Sequence, residues 1–205
     1  MAIPILTRGN HAGKEATVIE TKPSDAMRGI GIVQSDTPIL HQPSQPLNLP
    51  TEHDLATAIV NNLIAAMHRA RRVHNFAKGM GIAAPQLGIG RRVAVVQPPE
   101  PNTEKITLLN PTIVAHSDDE DEQYEGCLSF FDVRGKVRRP LRIEVETTAI
   151  TGEVHRHQYQ DGLARLIQHE IDHLDGILYT ARMKPEVQPI PVEQYRQTGR
   201  NWSYQ

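Results

Sequence analysis

A four-residue apolar spacing predicts one long amphipathic helix that begins after residue 51 and ends near residues 71–72. We expect Thr51 to be its N-cap residue, with Asp54 at the third helical position. The apolar positions that would face the core are Leu55, Ile59, Leu63 and Met67.

Shorter stretches that are apolar throughout, or that alternate between apolar and polar residues, predict β-strands. An acidic run over residues 116–123 separates two groups of them and predicts a solvated loop, because the spacing and glycine of a calcium-binding EF-hand loop are missing. The predicted strands cover residues 92–97, 105–109, 111–115, 141–147 and 153–159.

A second helix, predicted over residues 162–174, carries a metal-binding pattern. His169 and His173 are four residues apart, so they project from one helix face within reach of one ion. Glu170 lies beside the first histidine and can take the proton of a water at that ion. Gly176 is expected to end the helix.

Other histidines are expected to have ordinary roles. His68 and His74 lie at the far end of the first helix, where solvent-facing or capping roles are common. His155 and His157 share one face of a predicted strand, which is typical of polar residues on the solvent side of a sheet.

Length and composition allow one domain with flanking segments. A chain of 205 residues can bury about 70% of the surface that its unfolded form exposes. We predict an N-terminal extension over residues 1–29, a catalytic domain over residues 30–183 and a C-terminal tail over residues 184–205. A net charge of −2 without a long basic block argues against nucleic acid as the main partner. Without a signal-peptide core or an 18-residue apolar run, we expect a cytoplasmic protein with no membrane partner.

The metal site needs a third ligand, and the sequence offers two kinds. Downstream of the helix only Glu186 and Glu193 remain, in a stretch expected to be irregular. The other candidate is Cys127, the single cysteine, which cannot form an internal disulfide but whose thiolate binds zinc or ferrous iron well. We favour Cys127, because a Cys-His-His set leaves a coordination position open for water, as catalytic sites do.

Residues 79–90 contain four glycines and form a second dense stretch. A phosphate-binding loop is excluded, because no helix with Lys-Ser or Lys-Thr follows and Pro85 blocks a helix there. The small residues instead predict that another backbone approaches closely, whether the protein's own or that of a ligand.

Three motifs together resemble the signature of the peptide deformylase family, in the family's order. They are GMGIAAPQ at residues 79–86, EGCLS at 125–129 and QHEIDHL at 168–174, within a similarity that covers residues 31–183. The resemblance implies an α+β fold, with antiparallel sheets around a central helix that carries the HExxH motif. It also implies an enzyme that removes the N-formyl group from chains beginning with formyl-methionine, usually with ferrous iron, which zinc, nickel or cobalt can replace.

The resemblance implies a role for each motif residue. Glu170 would take a proton from the attacking water and deliver it to the leaving amine. The Gln86 side-chain amide and the Leu128 backbone N–H would stabilise the oxyanion that forms on the formyl carbon. The implied metal ligands are Cys127, His169 and His173.

The implied substrate is a formylated peptide or the N-terminus of a nascent chain, met at the ribosome. It would pair with the backbone of the channel like an added strand. Arg139 either pairs with Asp172 on the motif helix or is ordinary surface charge. The residues expected to line the channel are Met80, Gly81, Ile82, Glu125, Gly126 and Arg134.

The sequence departs from the family pattern at His41, where arginine is usual, and at Arg138, where proline is frequent. These departures leave open a paralogous deformylase that acts on a specialised formylated peptide or small molecule. Two further alternatives are an HExxH endopeptidase and an inactive metal-stabilised binding module. Gln86 and Glu170 argue against the inactive module, because structure alone requires neither of them.

Overall fold

Three antiparallel three-stranded sheets lie around one helix in the computed structural model, which describes residues 22–76, 78–100 and 102–197. The α-helices of this part of the chain are α1 (Pro23–Gly29), α2 (His53–Val73), α3 (Asp161–Leu174) and α4 (Val192–Gln197). Its 3₁₀ helices are Pro38–His41, Ala84–Leu87 and Tyr179–Arg182.

The strands run antiparallel to their neighbours in every sheet. The first sheet has the order β1 (Met80–Ala83), β2 (Val93–Gln97), β3 (Ile106–Leu109). The second has the order β4 (Thr112–His116), β7 (Arg142–Thr148), β8 (Val154–Gln160). The third has the order β5 (Glu120–Cys127), β6 (Phe130–Pro140), β9 (Ile190–Pro191).

Helix α3 is the central element, because it contacts strands of all three sheets. Most of its residues are buried, and Ile167 and Ile171 anchor it in a core shared with the first and second sheets. The helix ends where predicted, with Gly176 at φ 75°. A side chain at Gly176 would also press on the backbone of residues 41–42, so glycine is required for both conformation and space. The predicted α+β fold with antiparallel sheets around this helix is confirmed.

Strand β2 separates two hydrophobic clusters because its alternate residues face opposite sides. Val93 and Val95 pack with the apolar face of α2, while Ala94 and Val96 pack with α3. The strand is therefore buried on both faces, and the long helix is held against one side of the first sheet.

The predicted start of α2 was wrong, because the helix begins at His53 and its N-cap residue is Glu52. The Glu52 carboxylate accepts a hydrogen bond from the Asn48 N–H at 2.6 Å and pairs with Arg91. These contacts hold Thr51 in the preceding turn. Leu55, predicted to face the core, is 41% exposed.

The acidic run was also predicted wrongly, since its second half, residues 120–123, lies in strand β5. The partner strand β6 carries the basic residues, so that Asp121 lies opposite Arg139 and Glu122 opposite Arg138. Opposite charges across an antiparallel pair stabilise it, whereas the acidic sequence taken alone disfavours a strand.

The described parts of the terminal segments pack on the same body. Met27 of α1 is buried in the cluster under α2, and the Ser24 hydroxyl donates a hydrogen bond to Asp132 at 2.6 Å. The chain after residue 184, expected to be irregular, adds β9 to the edge of β6 and then forms α4. The outermost parts of both predicted extensions, residues 1–21 and 198–205, lie outside the described residues. No helix in the described ranges has the length and apolar character needed to cross a membrane.

Candidate metal centre and active site

Strand β5 and helix α3 bring three potential metal ligands together. Cys127 ends β5, while His169 and His173 project from one face of α3. Their ligand atoms all lie within 4.8 Å of one another, and all three residues are buried. The Cys127 Sγ lies 3.1 Å from the His173 Nε2. The structure thus assembles the cysteine and the two histidines that the sequence singled out.

The chemistry of these donors suits a divalent ion. Burial raises the pKa of Cys127, but the charges and hydrogen bonds of the two imidazoles outweigh it and hold the pKa well below its usual value. This shift favours the thiolate, the form of cysteine that binds metals. The His169 Nδ1 lies 3.1 Å from the Glu125 Oε2, an arrangement that leaves Nε2 as the donor for an ion. A thiolate and two imidazoles, which give up the proton on the ligating nitrogen when an ion binds, fit zinc or ferrous iron.

Glu170 is buried beside the ligands and is 2% exposed. Its Oε2 has no hydrogen-bond partner among the described residues. Burial raises the pKa of Glu170 to about 7, although the imidazoles of His169 and His173 act in the opposite direction. A carboxylate with that pKa can accept and return a proton near neutral pH.

Gln86 reaches the same centre from the 3₁₀ helix Ala84–Leu87. Its Oε1 accepts a hydrogen bond from the Ala83 N–H at 2.9 Å, which fixes the orientation of the amide. Its Nε2 lies 3.5 Å from the Cys127 Sγ and 3.4 Å from the Ser129 Oγ. The amide N–H of Gln86 thus points toward Cys127 over a long contact. Leu128 lies in the turn that follows Cys127.

A buried charge network holds the ligand-bearing elements in place. The Arg139 guanidinium binds Glu125 at 2.7 and 2.9 Å and Asp172 at 2.8 Å. Arg165 donates a further hydrogen bond to Glu125 at 2.7 Å. The predicted pairing of Arg139 with Asp172 is confirmed, and the alternative of ordinary surface charge is wrong, since Arg139 is 4% exposed.

One cavity opens onto this centre. Most of the predicted channel residues line it, whereas Ile82 packs into the cluster under α2 and presents no side chain to the cavity. The predicted residues at the cavity are Met80, Gly81, Gln86, Glu125, Gly126, Cys127, Leu128, Arg134, His169 and Glu170.

The sequence did not indicate several other lining residues. His74 caps α2 through its backbone N–H, which was one of the two roles expected for it. Its ring also packs against Phe76 and Phe131 at the cavity. Arg165 and Leu166 precede His169 by four and three residues, a helical spacing that could have placed them on the same face. The additional lining residues include Lys78, Tyr124 and Tyr195.

Neither departure from the family pattern lines the cavity. His41 is exposed, and its Nε2 lies 2.7 Å from the Ser35 carbonyl oxygen. Arg138 is exposed and pairs loosely with Glu120 at 3.8 Å. Glu186 and Glu193, the other candidates for the third ligand, are also exposed and lie outside the ligand cluster.

A cysteine and two histidines beside a carboxylate with one oxygen unpaired among the described residues, at the end of a cavity in an α+β fold, define a metal-dependent hydrolase. A sequence model described as polypeptide deformylase matches residues 30–188. The peptide deformylase of Acidobacterium capsulatum is 35% identical over 171 residues, which cover 82% of this chain and 95% of the relative. Peptide deformylase 2 of a Nostoc species is 34% identical over 174 residues, which cover 81% and 92%.

Solved structures show the same similarity in three dimensions. The class I type b peptide deformylase of Acinetobacter baumannii superposes with a TM-score of 0.64 at 31% identity, covering 75% of this chain and 97% of that one. The peptide deformylase of Thermotoga maritima gives a TM-score of 0.64 at 30% identity with the same coverage.

The chain therefore belongs to the polypeptide deformylase family. It is a metalloenzyme, with one metal ion, that hydrolyses the N-formyl group from formylated nascent peptides in protein biosynthesis.

Proposed function

We propose that the ion is held by Cys127, His169 and His173, and that Glu170 is the general base and acid of the reaction. The observation that carries this proposal is the buried Glu170 carboxylate beside the ligands, with one oxygen free of any described partner. A buried carboxylate without a structural partner is costly, so a role in proton transfer accounts for it.

When bound, the ion supplies Lewis-acid chemistry, polarising the formyl carbonyl and lowering the pKa of the attacking water. Glu170 takes the proton released by that water and returns it to the amine that leaves. In this proposal the Gln86 Nε2–H and the Leu128 N–H would donate hydrogen bonds to the oxygen that becomes negative. A donor of this kind typically contributes about 100- to 1,000-fold in kcat.

The substrate is a peptide that begins with formyl-methionine. Strand β1 is an edge strand, since it pairs only with β2 among the described strands, so its free side can pair with an extended peptide. Gly126 also lines the cavity. The methionine side chain would fit the apolar part of the lining, formed by Leu128, Phe131 and Leu166.

The native ion in this proposal is ferrous iron, which the family usually uses, with zinc, nickel or cobalt as replacements. The place of action is the cytoplasm, where the N-terminus of a nascent chain emerges from the ribosome. The catalytic domain spans residues 30–183, flanked by an N-terminal extension over residues 1–29 and a C-terminal tail over residues 184–205.

The test is formate release from formyl-Met-Ala under anaerobic conditions with iron. Glu170→Ala is expected to lose most of the activity while it keeps its metal, because the ligands are untouched. Glu186→Ala, which removes an exposed carboxylate, is the control and is expected to match the wild type. Full formate release by metal-loaded Glu170→Ala would contradict the role given to that residue.

A further inference from the structure

The turn between strands β5 and β6 carries a buried serine to which the proposed function gives no role. Residues 128–129 form this two-residue turn, and Cys127 pairs with Phe130 on either side of it. Ser129 is fully buried. It is also outside the set of described residues that line the cavity, so a substrate held there does not touch it.

The Ser129 hydroxyl faces the Gln86 amide. It accepts a hydrogen bond from the Gln86 Nε2 at 3.4 Å, and among the described residues this is the one hydrogen bond of that hydroxyl. The backbone N–H of Ser129 also lies 3.4 Å from the Cys127 Sγ, but a residue of almost any type would supply that group. A buried hydroxyl costs free energy unless it is hydrogen-bonded, so the contact with Gln86 is what the serine side chain adds.

The Gln86 amide is thus held at both ends. The Ala83 N–H donates a hydrogen bond to its Oε1 at 2.9 Å, and the Ser129 hydroxyl lies at its Nε2. A carboxamide is planar, so contacts at both ends define the direction of its plane, whereas one contact alone leaves it free to tilt. The nitrogen carries two hydrogens. One can stay on Ser129 while the other points to the oxygen of a substrate.

The length of the contact between Ser129 and Gln86 indicates what kind of effect it has. The contact is 3.4 Å long, whereas an N–H···O hydrogen bond is usually about 2.9–3.0 Å, so it contributes little to the stability of the fold. A catalytic donor is more sensitive, because a misplacement of about 1 Å can lower kcat by about 100-fold. Loss of the hydroxyl should therefore affect the reaction more than the folding.

We infer that Ser129 is a positioning residue for Gln86 as the donor to the oxyanion. This inference rests on the proposed function of Gln86. Ser129 holds the nitrogen end of the amide so that the other N–H is already aimed at the substrate oxygen when negative charge develops. A donor fixed in advance needs no rearrangement during the reaction. The short turn after Cys127 then contributes twice, through the Leu128 N–H and through the Ser129 hydroxyl.

The first experiment compares Ser129→Ala with the wild type in formate release from formyl-Met-Ala. We expect kcat to fall about tenfold with little change in KM, because the amide acts on a charge that develops only in the transition state. Bound metal, measured by atomic absorption, should be unchanged. Ser44→Ala removes another buried hydroxyl, outside the cavity, and is the matched control, with kcat expected to equal that of the wild type. Wild-type kcat in Ser129→Ala would overturn the inference.

A double-mutant cycle separates the positioning of Gln86 from a general structural role of Ser129. Gln86→Ala is expected to lower kcat by about 100-fold, and adding Ser129→Ala should lower it no further, since the group that Ser129 positions is already gone. Effects that multiply to about 1,000-fold in the double variant would overturn the inference and leave the role of Gln86 intact. Wild-type kcat in metal-loaded Gln86→Ala would instead overturn the proposed role of Gln86 itself.

A crystal structure of Ser129→Ala gives a measurement that does not depend on activity. We expect the Gln86 Oε1 to keep its hydrogen bond from the Ala83 N–H, while the plane of the amide tilts and Nε2 leaves its wild-type position. An amide that stays in place would contradict the role given to Ser129.

Discussion

At the scale of single residues, two glycines shape the active site by leaving room for charged side chains. The backbone of Gly81 packs directly against the Glu170 carboxylate, and that of Gly126 against the Arg134 guanidinium. A methyl group at either position would overlap those atoms. The backbone approach expected from the glycine-rich stretch is made at Gly79 by the Gln97 carbonyl oxygen, whereas the neighbour of Gly81 is the Glu170 side chain.

We predict that the Gly81→Ala substitution impairs catalysis and leaves folding largely intact. The added methyl group would displace the Glu170 carboxylate, and a misplacement of about 1 Å can lower kcat by about 100-fold. The measurement is kcat for formate release together with the melting temperature.

Gly29→Ala is the control for this prediction, because a side chain there meets no other atom within 4 Å. It is expected to keep both kcat and the melting temperature. A Gly81→Ala enzyme with wild-type kcat would show that Glu170 does not need its present position.

At the scale of elements, the hairpin of β5 and β6 is fixed to helix α3 by buried charges rather than by apolar contacts alone. Glu125 of β5 and Arg139 of β6 lie on the hairpin, while Asp172 lies on α3. Arg182, from the 3₁₀ helix that follows, also binds Asp172 at 2.7 Å. The network sets the position of Cys127 relative to the two histidines.

We predict that Arg139→Ala destabilises the fold strongly. It would leave the Glu125 and Asp172 carboxylates buried with fewer partners, and breaking a buried ion pair in this way typically costs about 3–5 kcal/mol. The free energy of unfolding, measured with a chemical denaturant, checks the prediction.

The neighbouring Arg138→Ala is a matched control, because that side chain is exposed and its nearest acid is 3.8 Å away. Its unfolding free energy is expected to change by no more than about 0.5 kcal/mol. Equal losses in the two variants would mean that burial of the Arg139 pair contributes nothing to stability.

At the scale of the whole molecule, the ion would join elements that are far apart in the sequence. Cys127 and His173 are separated by 46 residues, and no covalent bond links β5 to α3. A ligand that binds only the folded state stabilises it by mass action. Metal binding should therefore act as a cross-link between the third sheet and the central helix.

We predict that removing the ion with a chelator lowers the melting temperature and that adding it back restores it. At a free metal concentration of about 100 times Kd the stabilisation is about 2.7 kcal/mol, which corresponds to a shift of roughly 5–10 °C for a domain of this size. Differential scanning calorimetry of the two forms gives the shift directly.

Cys127→Ser is expected to lose this dependence on metal, since the strongest donor is gone. The exposed His157→Ala should keep it in full. Identical melting of chelated and reloaded wild-type protein would contradict the proposed cross-link.

Local sequence patterns were sufficient to predict features that depend on residues close together along the chain. The spacing of His169 and His173 fixed their common helix face, and Gly176 ended that helix as predicted. Five of the six strands in the first two sheets, with their ends shifted by a residue or so, also follow from apolar runs and alternation, whereas β1 in the glycine-rich stretch was not predicted.

Only the tertiary structure decided features that depend on distant partners. The acidic strand β5 exists because a basic strand lies beside it, and the cavity draws Lys78, Arg165 and Tyr195 from separate elements. Cys127 could be favoured from sequence as the third ligand, but its contact with His173 depends on how a sheet packs on a helix. The physical reason is range: periodicity describes residues within a few positions of one another, whereas charge pairing and cavity shape arise between elements brought together by packing.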